Sequence, residues 1–380
     1  MEKKICFVTG TRADFGHYMS VLKELRNTFD ISLIVCGMHL SNYYGLTIKE
    51  VEKLKVRIAD KVDFLFESNT LASMGRSVGL AILGIIQTLE REKPDILMLL
   101  GDRGEMIAGA IAAAYMNIPI AHIHGGEISG SIDNSIRHAI TKLAHVHLVA
   151  HEQAKNYVIK MGENPKFVFN VGAPSLDTIL NTKCVDKKAL YKKYSLDLDR
   201  LFILFVFHPD TQDFEKTDIQ LAVISEWFKK TRIQTIWIQS NSDSEGKIIN
   251  NYFNTFSENA DYFRGFSNLP YTDYLSLMKN ARFMFGNSSS GIIEAPSFKL
   301  PVINLGNRQK DRIKAKNVID VGFDLKEIDK AYMTIMNKEE FKKKLKNVKN
   351  PYGEGDSAKK IYNILTNLSD REPLINSKHF

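Results

Sequence analysis

The fold of this chain is decided by residues 93–138, which read KPDILMLLGDRGEMIAGAIAAAYMNIPIAHIHGGEISGSIDNSIRH. Residues 95–100 form an apolar run after a proline, which predicts a buried strand, and residues 118–123 form a second such run. A segment rich in small residues, 105–115, separates the two runs and predicts a helix. Such a crossover makes its strands parallel, and open parallel sheets bind ligands beyond the carboxyl ends of their strands.

Polar groups accumulate where these two predicted strands end. They are Asp102, Arg103, His122, His124, Glu127, Asp133 and Arg137. A plainer interpretation of the last three is the acidic first turn of a helix with an internal ion pair. That interpretation accounts for one acid and leaves the accumulation of the others unexplained. His122 and His124 alternate along a strand and therefore point to opposite faces, and no metal-binding set is evident.

Strands and helices alternate along the whole chain, which predicts an α/β protein with doubly wound parallel sheets. Further strands are predicted at residues 4–9, 31–36, 62–66, 146–150, 166–169, 201–207, 234–239, 282–285 and 302–305. A segment with Gly and Pro at 171–174 and a polar stretch at 181–200 interrupt the alternation. We therefore predict two Rossmann-like domains, residues 1–172 and 173–360, followed by a C-terminal helix and tail at 361–380.

The bulk composition is that of an ordinary globular protein, with 380 residues, 44% of them hydrophobic and 25% charged. The net charge of +7 admits acidic or phosphorylated partners, but many of the lysines cluster at residues 341–350 without interleaved aromatic residues. The three cysteines are widely spaced, and no segment holds about 18 uninterrupted apolar residues. We therefore expect a cytoplasmic protein that neither spans a membrane nor binds nucleic acid.

A second candidate site is the turn GNSSSG at residues 286–291, which follows a predicted strand and opens a predicted helix. Glycine permits close backbone approach, the serine hydroxyls donate, and a helix N-terminus presents free N–H groups to an anion. The plainer interpretation is an ordinary serine N-cap. Three hydroxyls and two glycines exceed what a cap needs, so we favour a phosphate cradle. Glu294, one turn later, would suit a ribose diol.

Three arginines follow predicted strands in the two halves of the chain, namely Arg12, Arg103 and Arg308. Each alone is explained as a surface residue. Together they suit a diphosphate held between two domains, because guanidinium groups match the geometry of phosphate oxygens.

His208 stands between a seven-residue apolar run and a proline, where it either faces a cleft or caps the turn. At a cleft it could steady a phosphate or protonate a leaving oxygen. His39 ends a predicted strand in the same manner and is a weaker candidate for binding substrate. Asn241 could hold sugar hydroxyls or form an Asx-turn.

Six segments closely resemble the motifs of the UDP-N-acetylglucosamine 2-epimerase family, in its hydrolysing branch. They are GTRADFG, GDR, HIHGGEISGSIDNSIRHAITKLAH, FHPDT, GNSSSGIIE and INLGNRQ. The resemblance covers about residues 4–367. It implies a GT-B-like fold, in which two Rossmann-like domains face a central cleft that holds a UDP-sugar and the C-terminal helix packs back on the first domain. It also implies a homodimer or homotetramer, and a reaction without metal or cofactor.

In that family a base removes the C2 proton of the sugar while UDP leaves from C1 by anti elimination, which gives a 2-acetamidoglucal. The hydrolysing branch then adds water across the double bond. The C2 proton is weakly acidic, so the reaction requires both a positioned carboxylate and a stabilised leaving group. The resemblance thus assigns the catalytic acids to the first domain and UDP binding to the second.

The motifs carry roles onto individual positions of this chain. Asp102 and Asp133 correspond to catalytic acids. The positions that correspond to nucleotide or sugar contacts are Arg12, Ala13, Arg103, His208, Asn241, Ser288, Ser289, Glu294 and Arg308. Many members read HIEGGE, with the first Glu as a catalytic acid, where this chain reads HIHGGE. Either His124 takes that role, or Glu127 supplies the carboxylate, or the substrate differs, and we favour His124.

Three functions compete on this basis. The favoured one converts UDP-N-acetylglucosamine and water to N-acetylmannosamine and UDP, in sialic-acid-type sugar biosynthesis. The second keeps the chemistry and changes the sugar to a UDP- or GDP-linked 2,4-diacetamido-trideoxyhexose, as in legionaminic acid synthesis. The third, from another class, is a GT-B glycosyltransferase, which needs an acceptor site but no acid pair aimed at C2.

Overall fold

The computed structural model describes residues 2–42, 44–66, 70–128, 132–209, 217–240, 244–267 and 269–368. The chain forms two compact units. Unit 1 comprises Met1–Thr178 and Tyr352–Phe380, and unit 2 comprises Ile179–Pro351. Every strand pairing in both units is parallel, as the alternation of strands and helices predicts.

Unit 1 is built on a seven-stranded sheet. Its strands are β1 (Lys4–Thr9), β2 (Asp30–Cys36), β3 (Arg57–Val62), β4 (Ile96–Leu100), β5 (Ile120–Ile123), β6 (Val146–Val149) and β7 (Val168–Asn170). Its first seven helices are α1 (Arg12–Leu25), α2 (Ile48–Glu52), α3 (Leu71–Glu92), α4 (Gly104–Tyr115), α5 (Ile132–Leu143), α6 (Glu152–Lys160) and α7 (Pro174–Asn181), which runs across the boundary between the units. The strand order is β3-β2-β1-β4-β5-β6-β7.

Alternate residues of β1 serve the two faces of this sheet, because successive side chains of a strand point in opposite directions. Ile5 and Phe7 pack in one core with residues of α1, whereas Cys6 and Val8 pack in another with residues of α3 and α4. Both faces of the central strands are therefore covered, which explains why β1 and β4 are apolar almost throughout.

Unit 2 is built on a six-stranded sheet of order β10-β9-β8-β11-β12-β13. Its strands are β8 (Phe202–Val206), β9 (Gln234–Ile238), β10 (Phe263–Phe266), β11 (Met284–Gly286), β12 (Val302–Leu305) and β13 (Val318–Val321). Its helices are α8 (Lys187–Lys193), α9 (Thr217–Thr231), α10 (Ser244–Glu258), α11 (Tyr271–Asn280), α12 (Ser290–Ile293), α13 (Leu325–Asn337) and α14 (Glu339–Lys346). Its core is aromatic: the ring of Phe205 lies 5.0 Å from that of Phe253 and 5.6 Å from that of Phe285.

The chain returns to unit 1 for its last described helix, α15 (Ser357–Asn367), whose Ile361 and Leu365 are buried in the core beside α1. The backbone N–H of Ala358 donates to the carboxylate of Asp177 at 2.6 Å, and the N–H of Ala173 donates to the carbonyl oxygen of Tyr352 at 2.7 Å. These bonds join residues 173–177 to residues 352–358. Both segments belong to unit 1, whose boundaries lie at 178/179 and 351/352, where the sequence suggested 172/173 and 360/361.

Edge strands are where the predicted strands depart from the structure. The strand predicted at residues 62–66 is wrong, because β3 spans Arg57–Val62. Within the described ranges β3 pairs with β2 alone, and it leaves Arg57 and Lys61 exposed, so its apolar pattern is weak. Phe64, which suggested a strand, is buried beyond the end of β3 near Gly37. Val318–Val321, at one edge of the second sheet, was not predicted because none of its four residues is fully buried.

Residues Ala72–Glu92 of α3 are long and apolar enough to cross a membrane by length and composition alone, with a mean hydropathy of 1.3. The segment includes Arg76, so it is not a run of about 18 uninterrupted apolar residues, of which the sequence has none. Ala81, Ile85 and Leu89 of this helix are fully buried in the core of unit 1, against α4. A core helix meets the same criterion, so the finding assigns no membrane contact.

Candidate active site

The strand order of each sheet reverses at one point, between β1 and β4 in unit 1 and between β8 and β11 in unit 2. Loops diverge there at the carboxyl ends of the strands, which is where open α/β sheets bind ligands. Residues predicted for the site occupy these loops or the next one along. They are Arg12, Ala13, Asp102, Arg103, His124 and Glu127 in unit 1, and His208, Ser288, Ser289 and Arg308 in unit 2.

Asp102 follows β4 directly and forms an ion pair with Arg137 of α5. Burial raises the pKa of Asp102, the Arg137 guanidinium opposes this, and the nearby charge of Asp133 adds to it. The turn itself is held by His122, whose Nε2 donates to the carbonyl oxygen of Gly101 at 2.8 Å. A carboxyl group with a raised pKa at a strand end is suited to proton transfer.

His124 follows β5 with a backbone φ of +62°, in the left-handed region that residues other than glycine rarely adopt. Its Nδ1 donates to Oε1 of Glu127 at 2.6 Å, and both side chains are about 95% buried. Its Nε2 is buried and has no hydrogen-bond partner within the described ranges. The bond to Glu127 fixes the proton on Nδ1 and leaves Nε2 as the reactive nitrogen, so the pair has the form of a base with its orienting carboxylate.

Arg137 joins these groups into one cluster. Its Nη1 donates to the carbonyl oxygen of His124 at 2.9 Å and lies 3.9 Å from Oε2 of Glu127, while its Nη2 pairs with Asp102. Arg137 therefore does form an ion pair, as the plainer interpretation suggested. Through Arg137, Asp102 is connected to His124, the predicted base. Asp133 is exposed in the first turn of α5 and belongs to the cluster through its charge.

His17 of α1 also contacts this cluster, and no sequence motif indicated it. Its ring centroid lies 5.3 Å from that of His124, edge to face. Burial and the adjacent His124 lower the pKa of His17 to about 3, so its ring is neutral. The contact limits rotation of the His124 imidazole, and the neutral His17 ring adds no positive charge beside it.

The loop after β1 is preorganised by a capping box, in which Thr11 and Asp14 exchange hydrogen bonds at the start of α1. Arg12 and Ala13 are exposed at the start of α1, and Nε of Arg12 lies 3.1 Å from a carboxylate oxygen of Glu50. The predicted substrate contact by His39 finds no support. His39 is fully buried, with its Nε2 hydrogen-bonded to Thr9, and its own backbone N–H donates to Gly10.

Unit 2 gathers its polar residues around Asn287, which the motif GNSSSG contained but which was not singled out. The N–H of His208 donates to Oδ1 of Asn287 at 2.8 Å, and Nδ2 of Asn287 donates back to the carbonyl oxygen of His208. Arg308 and Gln309 both donate to the carbonyl oxygen of Asn287 at 3.0 Å. One buried asparagine thus fixes the loops after β8, β11 and β12 relative to each other.

The remaining predicted residues of unit 2 lie near this asparagine in sequence. Ser288 is buried and accepts from the N–H of Ser290, while Ser289 is half-buried at the start of α12. Burial raises the pKa of Glu294, which follows α12, and Glu294 in turn adds to the raised pKa of Tyr271. Burial and the Arg308 charge lower the pKa of His208 to about 4. Asn241 lies outside the described residues.

The turn that opens α12 depends on a glycine at position 286. Gly286 has a φ of +128°, and a Cβ there would lie 2.0 Å from the carbonyl oxygen of Val206. We expect Gly286→Ala to destabilise unit 2 by about 3–5 kcal/mol. Urea denaturation followed by tryptophan fluorescence measures this, because both tryptophans, Trp227 and Trp237, are buried in unit 2. Ser289→Ala, in the same turn, should change stability by less than about 1 kcal/mol. Equal denaturation midpoints for the two variants would contradict this assignment.

The two units offer different chemistry. Unit 1 gathers two carboxylates, an oriented histidine and a buried arginine, which suits proton transfer. Unit 2 gathers hydroxyls, a neutral histidine and an exposed arginine at strand ends, which suits an anion such as phosphate. Among the described residues, no group of three or more His, Cys, Asp or Glu side chains could hold a metal ion.

Known proteins support one family for this chain. The family model described as UDP-N-acetylglucosamine 2-epimerase matches residues 23–366. A UDP-N,N'-diacetylbacillosamine 2-epimerase (hydrolyzing) of Legionella pneumophila is 38% identical over 378 residues, which is 99% of each chain. A GDP/UDP-N,N'-diacetylbacillosamine 2-epimerase (hydrolyzing) of Campylobacter jejuni is 38% identical over 89% of this chain and 88% of its own.

Solved structures agree with the fold. The crystal structure of UDP-GlcNAc 2-epimerase from Neisseria meningitidis bound to UDP-GlcNAc matches with a TM-score of 0.84, over 96% of this chain and 100% of its own. At 19% identity this likeness concerns the fold alone, and it confirms the prediction of a GT-B-like α/β architecture with two parallel sheets. The sequence matches and the fold together establish that the chain belongs to the UDP-N-acetylglucosamine 2-epimerase family of enzymes.

Proposed function

We propose that this protein is a hydrolysing 2-epimerase of UDP-linked 2-acetamido sugars, with UDP-N,N'-diacetylbacillosamine as its preferred substrate. The observation that carries the chemistry is the buried His124–Glu127 pair, joined through Arg137 to Asp102 at the carboxyl edge of the first sheet. The preferred sugar is supported by the two relatives at 38% identity, whose names both specify diacetylbacillosamine and hydrolysis.

The reaction balances without a redox partner. A base takes the C2 proton, the C1–O bond breaks with its electron pair passing to the β-phosphate of UDP, and a C1–C2 double bond forms. Water then adds its oxygen to C1 while a proton returns to C2. The net change is the nucleotide sugar and water giving the free 2-epimeric sugar and UDP.

Inversion at C2 requires a proton to leave one face of the sugar and another to arrive on the opposite face. A single side chain cannot serve both faces without moving, so two groups are needed. We assign these roles to His124, through its Nε2, and to Asp102, a carboxyl group whose pKa is raised by burial. Glu127 and Arg137 orient these two groups.

The leaving diphosphate needs donors and positive charge, because charge develops on its oxygen as the C1–O bond breaks. Two sets of such groups are our candidates for this task, each within its own unit. They are Arg12 and Arg103 in unit 1, and Ser288, Ser289 and Arg308 in unit 2. With a pKa lowered to about 4, His208 is neutral near pH 7. It therefore suits a hydrogen bond to phosphate better than protonation of the leaving oxygen, and Glu294 suits the ribose.

The proposed function is tested by incubating the protein with UDP-N,N'-diacetylbacillosamine in heavy water. We expect UDP and a free 2-epimeric sugar that carries one deuterium at C2. Release of a nucleotide-linked epimer alone would contradict hydrolysis. Transfer of the sugar to an acceptor with no deuterium at C2 would instead support a glycosyltransferase.

UDP-N-acetylglucosamine is the second candidate substrate. A UDP-N-acetylglucosamine 2-epimerase of Neisseria meningitidis is 35% identical over 86% of this chain, and the polysialic acid biosynthesis protein P7 of Escherichia coli is 37% identical over 92%. These identities lie close to those of the diacetylbacillosamine enzymes. A competition assay with both sugars present decides the matter, and a larger kcat/KM for UDP-N-acetylglucosamine would reverse the preference proposed here.

A further inference from the structure

Glu105, the second residue of α4, is a buried carboxylate that neither the sequence motifs nor the mechanism has used. It is 5% exposed and lies beneath the carboxyl ends of β1 and β4. The sequence reads GDRGE at this point, so Glu105 follows Arg103 by two residues. A simpler explanation is that the helix dipole favours an acidic residue in the first turn of a helix. Two contacts indicate a more specific role.

The first contact is to Arg103, whose Nε lies 2.6 Å from Oε1 of Glu105. A guanidinium presents five N–H donors in a flat fork, and the carboxylate engages it at Nε. The Arg103 side chain is 41% exposed, against 6% for Glu105. The buried carboxylate thus fixes the plane of the guanidinium. Nη2 of Arg103 donates to Sδ of Met38 at 3.9 Å, and a thioether is a weak acceptor that a phosphate oxygen can replace.

The second contact is to the loop after β1. A Cβ on Gly10 would lie 2.2 Å from Oε1 of Glu105, so the carboxylate occupies the space that any larger residue would need. The charge of Glu105 also reaches Asp14 of the same loop, since burial and then Glu105 raise the pKa of Asp14 to about 6. Glu105 therefore touches both loops that carry the arginines of unit 1.

We propose that Glu105 is a positioning residue for the diphosphate of the substrate, which it serves by holding the Arg103 guanidinium against the Gly10 loop. This inference rests on the proposed function, because that function assigns Arg103 to the diphosphate. The inference requires that the side chain at position 105 have the length of Glu as well as its charge, because the carboxylate must reach Nε of Arg103 from α4.

The test is direct titration of UDP by calorimetry, which needs no turnover. We expect Glu105→Gln to weaken UDP binding about tenfold, because the charge-assisted bond to Arg103 is lost. Glu105→Asp, which keeps the charge and shortens the side chain, should weaken it similarly. In an Arg103→Met background, Glu105→Gln should have no further effect, because the residue acts through Arg103. Glu163→Gln is the matched control, a buried carboxylate of unit 1 paired with Lys142 and His147.

An equal loss of affinity from Glu105→Gln in both backgrounds would overturn the inference, as would full UDP affinity in Glu105→Asp. A purely structural role predicts an equal loss in both backgrounds, together with a lower melting temperature in each Glu105 variant. The proposed function fails separately, if wild-type protein binds UDP but releases no free sugar from either nucleotide sugar. Binding and turnover therefore distinguish failure of the inference from failure of the function.

Discussion

Asp102→Asn is expected to lower kcat by about 100-fold or more, which is the lower range for loss of a general acid or base. The substitution keeps the shape of the side chain and an oxygen to which Arg137 can donate, but it removes the group that exchanges a proton. Burial raises the pKa of Asp102, the Arg137 charge opposes this, and the charge of Asp133 adds to it. The measurement is initial rate of UDP release at saturating substrate, per folded protein.

Asp95→Asn is the matched control for this experiment. Asp95 lies just before the opposite end of the same strand, where its carboxylate accepts from the N–H of Lys4 at 2.7 Å. The control should change kcat by less than about twofold, because it stands at the amino end of β4, away from the predicted site. Turnover of Asp102→Asn within tenfold of wild type would remove Asp102 from the catalytic roles.

Much of the fold could be predicted because both sheets are covered by helices. Central strands such as β1, β4 and β8 are apolar on both faces, and this continuous run is the strongest signal that a strand can have. Edge strands lack that signal. β3 carries Arg57, Asp60 and Lys61, so its position depends on pairing with β2, which no local pattern reveals.

Part of the candidate site could also be predicted from the sequence, for a topological reason. Strand ends are readable in sequence, and parallel sheets bring their carboxyl ends to one edge, so Asp102, His124 and His208 could be proposed without coordinates. Residues that act by bridging loops could not. Asn287 matters because of His208 and Arg308, which lie 79 and 21 positions away in sequence.

His39 is the opposite case. It lies near the carboxyl end of a strand, where ligand-binding residues are expected, but its side chain faces the core. It lies beyond the end of β2, in a short 3-10 helix at Gly37–Leu40, and the rule of strand ends indicates a ligand contact there. Its ring instead bonds to Thr9 and Thr47 and packs against Phe15. Burial lowers its pKa to about 4, so it remains neutral inside unit 1. A position near a strand end therefore indicates that a residue lies in the region of the site. The partners of its side chain decide whether it can contact a ligand.

His124→Asn is expected to lower kcat by about 100- to 10,000-fold. Asparagine tolerates the left-handed backbone that His124 adopts, so the loop should keep its conformation while the reactive nitrogen is lost. Glu127→Gln should lower kcat by a smaller factor, about 10- to 100-fold, because it removes the charge that orients and stabilises the imidazole but leaves Nε2 in place. Single-turnover rates at saturating substrate measure both effects.

The double variant separates a paired base from two independent groups. If Glu127 acts through His124, then adding Glu127→Gln to His124→Asn should lower the rate by less than about twofold further. Unit 1 offers a control pair of the same chemistry, in which Nε2 of His147 lies 3.2 Å from a carboxylate oxygen of Glu163. His147→Gln should leave the rate per folded molecule unchanged. If the two rate losses multiply in the double variant, then Glu127 contacts the substrate itself. That is the alternative left open by the change from HIEGGE to HIHGGE.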